Sequence, residues 1–234
     1  MTMRKITFYP ANELAKETVP PPQKVEIPEW YKKMPLHSYG DKKLIVRDGK
    51  TNYSAKACMP FLDSFTTGYT FNLPYDIIVQ RNEEGHKVIS WNSILLPPVT
   101  ARTYNENIMP YLKGHTDWNF SWLTYWHIKL PRGYSALLTH PLNRTDLPFI
   151  TTSGILDADK WGIRGNQPFS LQEDFEGVIP QGTPIIQIIP FKRHSWISGV
   201  SEKLTTWAFY EDIRARRVFR GYYKNNYWTK KDYS

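Results

Sequence analysis

The chain has 234 residues, room for one sizeable core with arms and cramped for two full domains. Its single cysteine, Cys58, excludes an internal disulfide, so the fold must hold by apolar burial, and fifteen Tyr, nine Trp and eleven Phe supply much of that surface. No stretch approaches the roughly 20 apolar residues of a membrane span, and the net charge of +8 is uneven, with ten Lys/Arg against four Asp/Glu from Lys192 to Ser234.

These features set the first expectations. The start, Met1 to Ile6, leads into Tyr9 and Pro10 with no signal-peptide-like run, so export by the usual route and membrane partners are not expected. A reducing compartment fits the lone cysteine. By charge alone the basic end points to an acidic partner (nucleic acid, an acidic protein face or a membrane surface) or is a solvated helix face.

In chain order, residues 1–36 hold Val19 to Gln23, with three consecutive prolines, and then Ile27, Pro28, Glu29, Trp30 and Tyr31. Proline removes backbone donors and favours extended geometry, so this leader is expected to be an arm that offers Trp30 and Tyr31 to a neighbour. Cys58, before Met59, Pro60 and Phe61, is expected to be a small buried hydrophobe rather than a nucleophile.

Residues 37–192 read as a β-rich core. Strands are predicted at 43–47, in two pieces over 66–80 broken at Leu73 and Pro74, and at 87–91 after the Asn82–Gly85 turn. Further strands are predicted at 126–130, at 134–139 after the Pro131–Gly133 turn, and at 149–152, 169–171 and 185–189. Short strands with Gly and Pro punctuation favour an antiparallel barrel, sandwich or clip over a parallel sheet, and no glycine-rich phosphate loop follows any of them.

Residues 193–234 differ. Leu204, Trp207, Ala208, Tyr210, Ile213 and Val218 recur mainly at intervals of three or four, which gives 202–223 a helical composition, with Gly221 as the expected stop. Beyond it Tyr222, Tyr223, Tyr227 and Trp228 alternate with lysines, and Arg214, Arg216, Arg217 and Arg220 precede them. Bases stack on such aromatics while cations neutralise phosphate, so nucleic acid is one reading. Tyr, Trp and Arg are equally the anchors of protein interfaces, and that reading is preferred because the body carries no nucleic-acid module.

Three constellations could carry chemistry. His115 and Asp117, with a distal His194 or His140, have the makings of a facial triad for Fe(II), and Arg214 or Arg217 could hold 2-oxoglutarate; this is the oxygenase alternative. His140, Asn143, Arg144 and Asp146 form a polar cluster that could bind an anion, or equally a turn in which Arg144 pairs with Asp146 or Asp157. Ser135 and Ser153 lack the glycines of a nucleophile elbow.

The third is the run Gly154, Ile155, Leu156, Asp157, Ala158, Asp159, Lys160 and Gly162, followed by Gly182, Thr183, Pro184, Ile185, Ile186 and Gln187. In spacing and order it resembles the β-clip fold of dUTP pyrophosphatases and dCTP deaminases, reaching back to Thr67–Phe71. That resemblance implies a mainly β, β-clip-like or jelly-roll-like antiparallel barrel, a homotrimer, and Asp157 at the water-activating position. Three departures count against the reaction. Thr70 stands where the family has a metal-binding Asp, Lys160 where it stacks an aromatic (Trp161 is one place late), and neither the Pro-Arg-Ser loop nor the glycine-rich closing arm is present.

The whole chain also resembles an uncharacterised family of tailed phages, especially those of marine hosts, and of some bacteria. The carrying segments are Ile27–Lys32, Cys58–Asp63 with Thr67–Tyr69, Gly133–Ser135, His140–Arg144, Gly182–Ile185 and Pro190–Arg193, with Tyr223 to Lys231. Together these readings imply a non-catalytic assembly protein without a cofactor, a phage decoration, connector or tail-associated component. It would be found in the host cytoplasm during assembly and then in the virion. A dUTPase-like nucleotide-binding protein is the remaining alternative.

Overall fold

The computed structural model describes residues 4–38, 52–92, 94–102, 110, 112–117, 120–161, 166–201, 206, 209–210 and 222–233. The chain divides into two compact units, residues 1–25 with 68–193 and residues 26–67 with 194–234.

The first unit is built from antiparallel strands in four sheets. Strands β1 (Thr7–Pro10) and β8 (Trp126–Lys129) form a pair. A four-stranded sheet runs β10 (Phe149–Thr151), β12 (Asn166–Leu171), β7 (Phe120–Leu123) and β6 (Val99–Ala101). The largest sheet runs β11 (Gly154–Leu156), β9 (Tyr134–Thr139), β14 (Pro184–Lys192), β3 (Tyr69–Asn72) and β2 (Gln23–Lys24). The last runs β13 (Gly177–Ile179), β4 (Ile77–Arg81) and β5 (Lys87–Ser90).

The expected mainly β, antiparallel class therefore holds, but among the described residues none of these sheets closes into a barrel. The strands are short and several carry proline, which cannot donate to a ladder. Examples are Pro10 in β1, Pro168 in β12 and Pro184 at the head of β14, beside a register shift. The 66–80 segment breaks between β3 and β4 at Leu73 and Pro74, as predicted, because proline ends the ladder there.

Alternation along these strands builds one core. Ile77, Val79, Ile179, Ile186 and Ile188 are buried together with Phe71, Leu73 and Leu171. Trp122, Phe149 and Phe169 make its aromatic centre, with the Trp122 and Phe169 rings stacked at 3.6 Å and 7°. Gly68 is required where the chain enters β3. Its φ is +80°, and a Cβ there would sit 2.0 Å from the Ile188 carbonyl oxygen, against the backbone of β14.

The leader is not the free arm its prolines suggest. After β1, Asn12 caps helix α1 (Glu13–Thr18) by accepting the Ala15 N–H at 2.8 Å, and Ala15 is fully buried. Trp126 Nε1 donates to the Val19 carbonyl at 3.1 Å. The prolines end this helix rather than extend the chain into solvent, because Ala15 and Val19 on either side of its last turn are buried in the core.

In the second unit, helix α2 (Glu29–Lys33) and helix α3 (Met59–Ser64) gather Trp30, Tyr31, Phe61 and Phe65 into an aromatic cluster. Tyr31 and Phe65 are buried, and burial pushes the Tyr31 hydroxyl above its ordinary pKa. Helix α4 (Tyr222–Asn226) begins one place after the predicted stop at Gly221. Of the predicted helix over 202–223, Thr206, Phe209 and Tyr210 are helical, and most of the rest lies outside the described residues. The predicted strand at 43–47 lies outside them too.

Candidate functional site

Two of the residues that the β-clip resemblance singles out, Asp157 and Asp159, come together where β9 begins and β14 ends. Gly133, at φ +85°, closes the turn into β9, and Arg193 N–H bonds back to its carbonyl at 2.9 Å. Strand β11 pairs with β9, and the chain then turns through Asp157, Ala158 and Asp159, with Lys160 and Trp161 donating backbone N–H groups to the Asp157 carbonyl. Ala158 is fully buried, so its two acidic neighbours are fixed on either side of it.

Arg193 fills the space between them. Its Nη1 reaches Asp159 Oδ1 at 2.8 Å and Asp157 Oδ1 at 3.0 Å, and its Nη2 bonds Asp159 Oδ2. Ser135 Oγ donates to Asp157 Oδ1 at 2.6 Å, and the Gly133 N–H donates to Asp159 Oδ2 at 2.8 Å. The Asp159 side chain is only 4% exposed and that of Asp157 is 47% exposed. The Ser135 hydroxyl and Arg193 hold Asp157 below the usual carboxylate range. Arg193 and the Gly133 N–H hold Asp159 far below it, and Arg193 is raised in turn.

This geometry suits a clasp better than a reaction centre. A carboxylate that takes a proton from water needs a pKa near the working pH and an oxygen turned towards the water. Asp157 Oδ1 is turned to Ser135 and Arg193, and its charge is stabilised rather than poised. Thr70, at the family's metal position, is buried in β3 between Gln23 of β2 and Gln187 of β14 and offers no carboxylate. The Trp161 ring is exposed.

The other motif residues serve the framework. Gly182 takes φ +82° in the turn before β14, donating its N–H to the Leu73 carbonyl. Gly154 starts β11, and Gly162 lies outside the described residues. Gln187 is fully buried, and its Oε1 accepts the Leu142 N–H at 2.8 Å, which anchors the loop after β9.

In that loop His140 Nδ1 accepts the Thr151 N–H at 3.3 Å, so Nε2 carries the proton towards the Arg144 carbonyl at 3.2 Å. Burial keeps the His140 pKa below its ordinary value, so the ring is neutral. Arg144 grips Asp146 through two bonds of 2.8 and 2.9 Å, and Asn143 adopts φ +58°. The cluster is a turn, with its guanidinium already paired.

Of the oxygenase candidates, His115 forms an isolated bridge with Gln172 and Asp117 is exposed in the loop that follows, while both ring nitrogens of His140 are taken up by the Thr151 N–H and the Arg144 carbonyl. Among the described residues no group of three His, Cys, Asp or Glu is placed to hold a metal ion. Arg214 and Arg217, named for 2-oxoglutarate, lie outside those residues.

The interface candidates divide. Tyr31 is turned into its own unit's core, with Trp30 packed beside it on Phe65, so neither is a free anchor. Trp228 Nε1 bonds both oxygens of Asp63 at 3.0 and 3.1 Å, and Lys231 reaches the same carboxylate at 2.6 Å. Tyr223 and Tyr227 remain exposed. Arg216, Arg217, Arg220 and the Tyr222 side chain lie outside the described residues. Cys58, expected to be buried, is exposed ahead of α3, because its neighbour Met59 takes the buried position instead.

Two features have no local sequence signal: the Arg193 clasp, whose partners lie 34 residues or more away, and the exposed segment 194–200. In that segment Trp196, Ile197 and Val200 stand almost wholly in solvent.

No protein-family model matches the chain, and no curated protein matches it. The solved structures similar to it include dUTPases. A mutant dUTPase of Staphylococcus bacteriophage 80alpha, with dUpNHpp, is 12% identical, over 60% of this chain and 78% of that one, at a TM-score of 0.32. The EIAV dUTPase is 13% identical over 59% and 87%, at 0.32, and the dUTPase from phage phi11 of S. aureus is 10% identical over 60% and 85%, at 0.32. No helix among the described residues is long and apolar enough to cross a membrane.

Proposed function

We propose that this chain is a non-catalytic assembly protein, a component of a phage particle, which forms a homo-oligomer (a trimer is favoured) and docks on neighbouring protein through its C-terminal segment. The observation that carries this reading is the pairing of a disarmed hairpin with an exposed apolar segment. Arg193 and Ser135 occupy Asp157, and directly afterwards the chain presents Trp196, Ile197 and Val200 to solvent. Large exposed apolar groups of this kind mark interaction sites rather than ordinary surface.

The test is the mass of the full-length protein by light scattering, with proteomics of purified particles from an infected host. An oligomer recovered with particles supports the proposal. A monomer absent from particles removes it.

A second reading, dUTPase-like nucleotide binding, is favoured by the half-exposed Asp157 carboxylate at the end of β11. Asp157-dependent release of pyrophosphate from a deoxynucleoside triphosphate would establish that reading and displace the first.

A further inference from the structure

The three-stranded sheet β13-β4-β5 has two unlike faces. Ile77, Val79 and Ile179 point into the core and are essentially inaccessible. The alternate residues point outward. Val178 pairs directly with Ile78, and Val88, opposite Gln80, lies one step along on the next strand. Val178 is 51% exposed, Ile78 39% and Val88 40%, so β-branched apolar groups from all three strands form a contiguous surface.

That surface sits on an acidic module of a basic protein. Residues 76–90 and 173–179, which make up the sheet and its acidic approach, carry six Asp/Glu against only Arg81 and Lys87. Arg81 is paired with Glu176 at 3.1 Å, so much of the remaining negative charge faces solvent. The segment 192–234, by contrast, has six more basic than acidic residues.

Residues 194–200 are the chain's own complement to this face. They form no helix or strand, and Trp196 is 88% exposed, Ile197 100% and Val200 97%. An extended ten-residue segment, 192–201, spans roughly 33 Å. Three strands at about 4.8 Å spacing are roughly 10 Å across, so the segment can cross the whole face.

We infer that the outer face of β13-β4-β5 is the docking site for residues 194–200 of a second copy of this chain. The inference rests on the assembly reading above and names its contact. The apolar groups of the arm, Trp196, Ile197 and Val200, cover Ile78, Val88 and Val178. Such an arm-to-face contact is heterologous, because each copy gives an arm to one neighbour and a face to another. Contacts of this type close into rings, which is how a cyclic trimer would form. A buried aromatic covers about 150–250 Å² on its own, so Trp196 is the expected anchor.

The experiment compares full-length wild type with an arm variant (Trp196→Ser with Ile197→Ser) and a face variant (Ile78→Lys with Val178→Lys), all at exposed positions, by light scattering. The expected result is an oligomeric wild type, with each variant alone a folded 27.5 kDa monomer by circular dichroism. An equimolar mixture of the variants should form a two-chain complex, since together they hold one intact arm and one intact face. A fluorescently labelled peptide of residues 192–201 should bind the arm variant at least roughly tenfold more tightly than the face variant, a readout independent of variant assembly. Either variant remaining oligomeric, a mixture that stays monomeric, or equal peptide binding would overturn the inference while leaving the assembly reading standing. A monomeric wild type overturns both.

Discussion

Replacing Thr151 by Val tests a polar joint in the core. Trp122 Nε1 donates to Thr151 Oγ1 at 3.0 Å, and that hydroxyl donates onward to the Ile185 carbonyl at 2.8 Å, all in the buried centre. Ile185 lies at the register shift in β14, outside the pairing with β3, so the threonine takes up a carbonyl that the ladder leaves over. Valine keeps the shape and deletes the hydroxyl, which strands one donor and one acceptor. At about 1–3 kcal/mol for each buried unsatisfied group, the expected cost is about 2–6 kcal/mol. For a chain of this size that lowers Tm by on the order of 10 °C. Urea unfolding followed by tryptophan fluorescence measures it. Thr151→Ser, which keeps the hydroxyl, should retain most of the stability. Trp122→Phe combined with Thr151→Val should cost less than the sum of the single changes, by roughly 1 kcal/mol, because both partners are gone. A Thr151→Val protein within about 0.5 kcal/mol of wild type would refute the reasoning, since that is the ordinary range of a neutral surface change.

Gly68→Ala should be more severe, because its Cβ would overlap the Ile188 carbonyl and φ is +80°; thermal melting and soluble yield should show loss of more than about 3 kcal/mol or no folded protein. Asp157 and Asp159 both titrate below the ordinary carboxylate range when folded, so their stabilisation is present above about pH 4 and is lost as pH falls through their folded values. Urea midpoints measured from pH 6 down to pH 2 should fall for wild type, and Asp159→Asn should start lower and fall less. Asp63→Ala removes the carboxylate shared by Trp228 and Lys231, so trypsin should cut the C-terminal segment of the variant faster than that of wild type under native conditions.

Most strands of the largest sheet and its neighbours were legible because turn residues mark their ends. Gly133 and Pro131 set off β9, Leu73 and Pro74 divide β3 from β4, and β14 is a run of isoleucines. Strands β1, β6 and β7 were not, since each has only three or four residues and its pairing partner lies elsewhere in the chain. The leader misled for a physical reason: local proline composition says nothing of the burial of Ala15 or of the Val19 carbonyl that Trp126 holds. At the site, the Gly154–Asp159 run identified the hairpin. Its chemistry depends on Arg193, which stands 34 residues from Asp159 and is brought beside it only by the pairing of β14 with β9.

Native mass spectrometry of the full-length chain at micromolar concentration counts copies directly. A species of three times the 27.5 kDa chain mass, shifting to single chains when Trp196 and Ile197 are replaced by serine, is the expected result. A 27.5 kDa species alone at every concentration would contradict the assembly role.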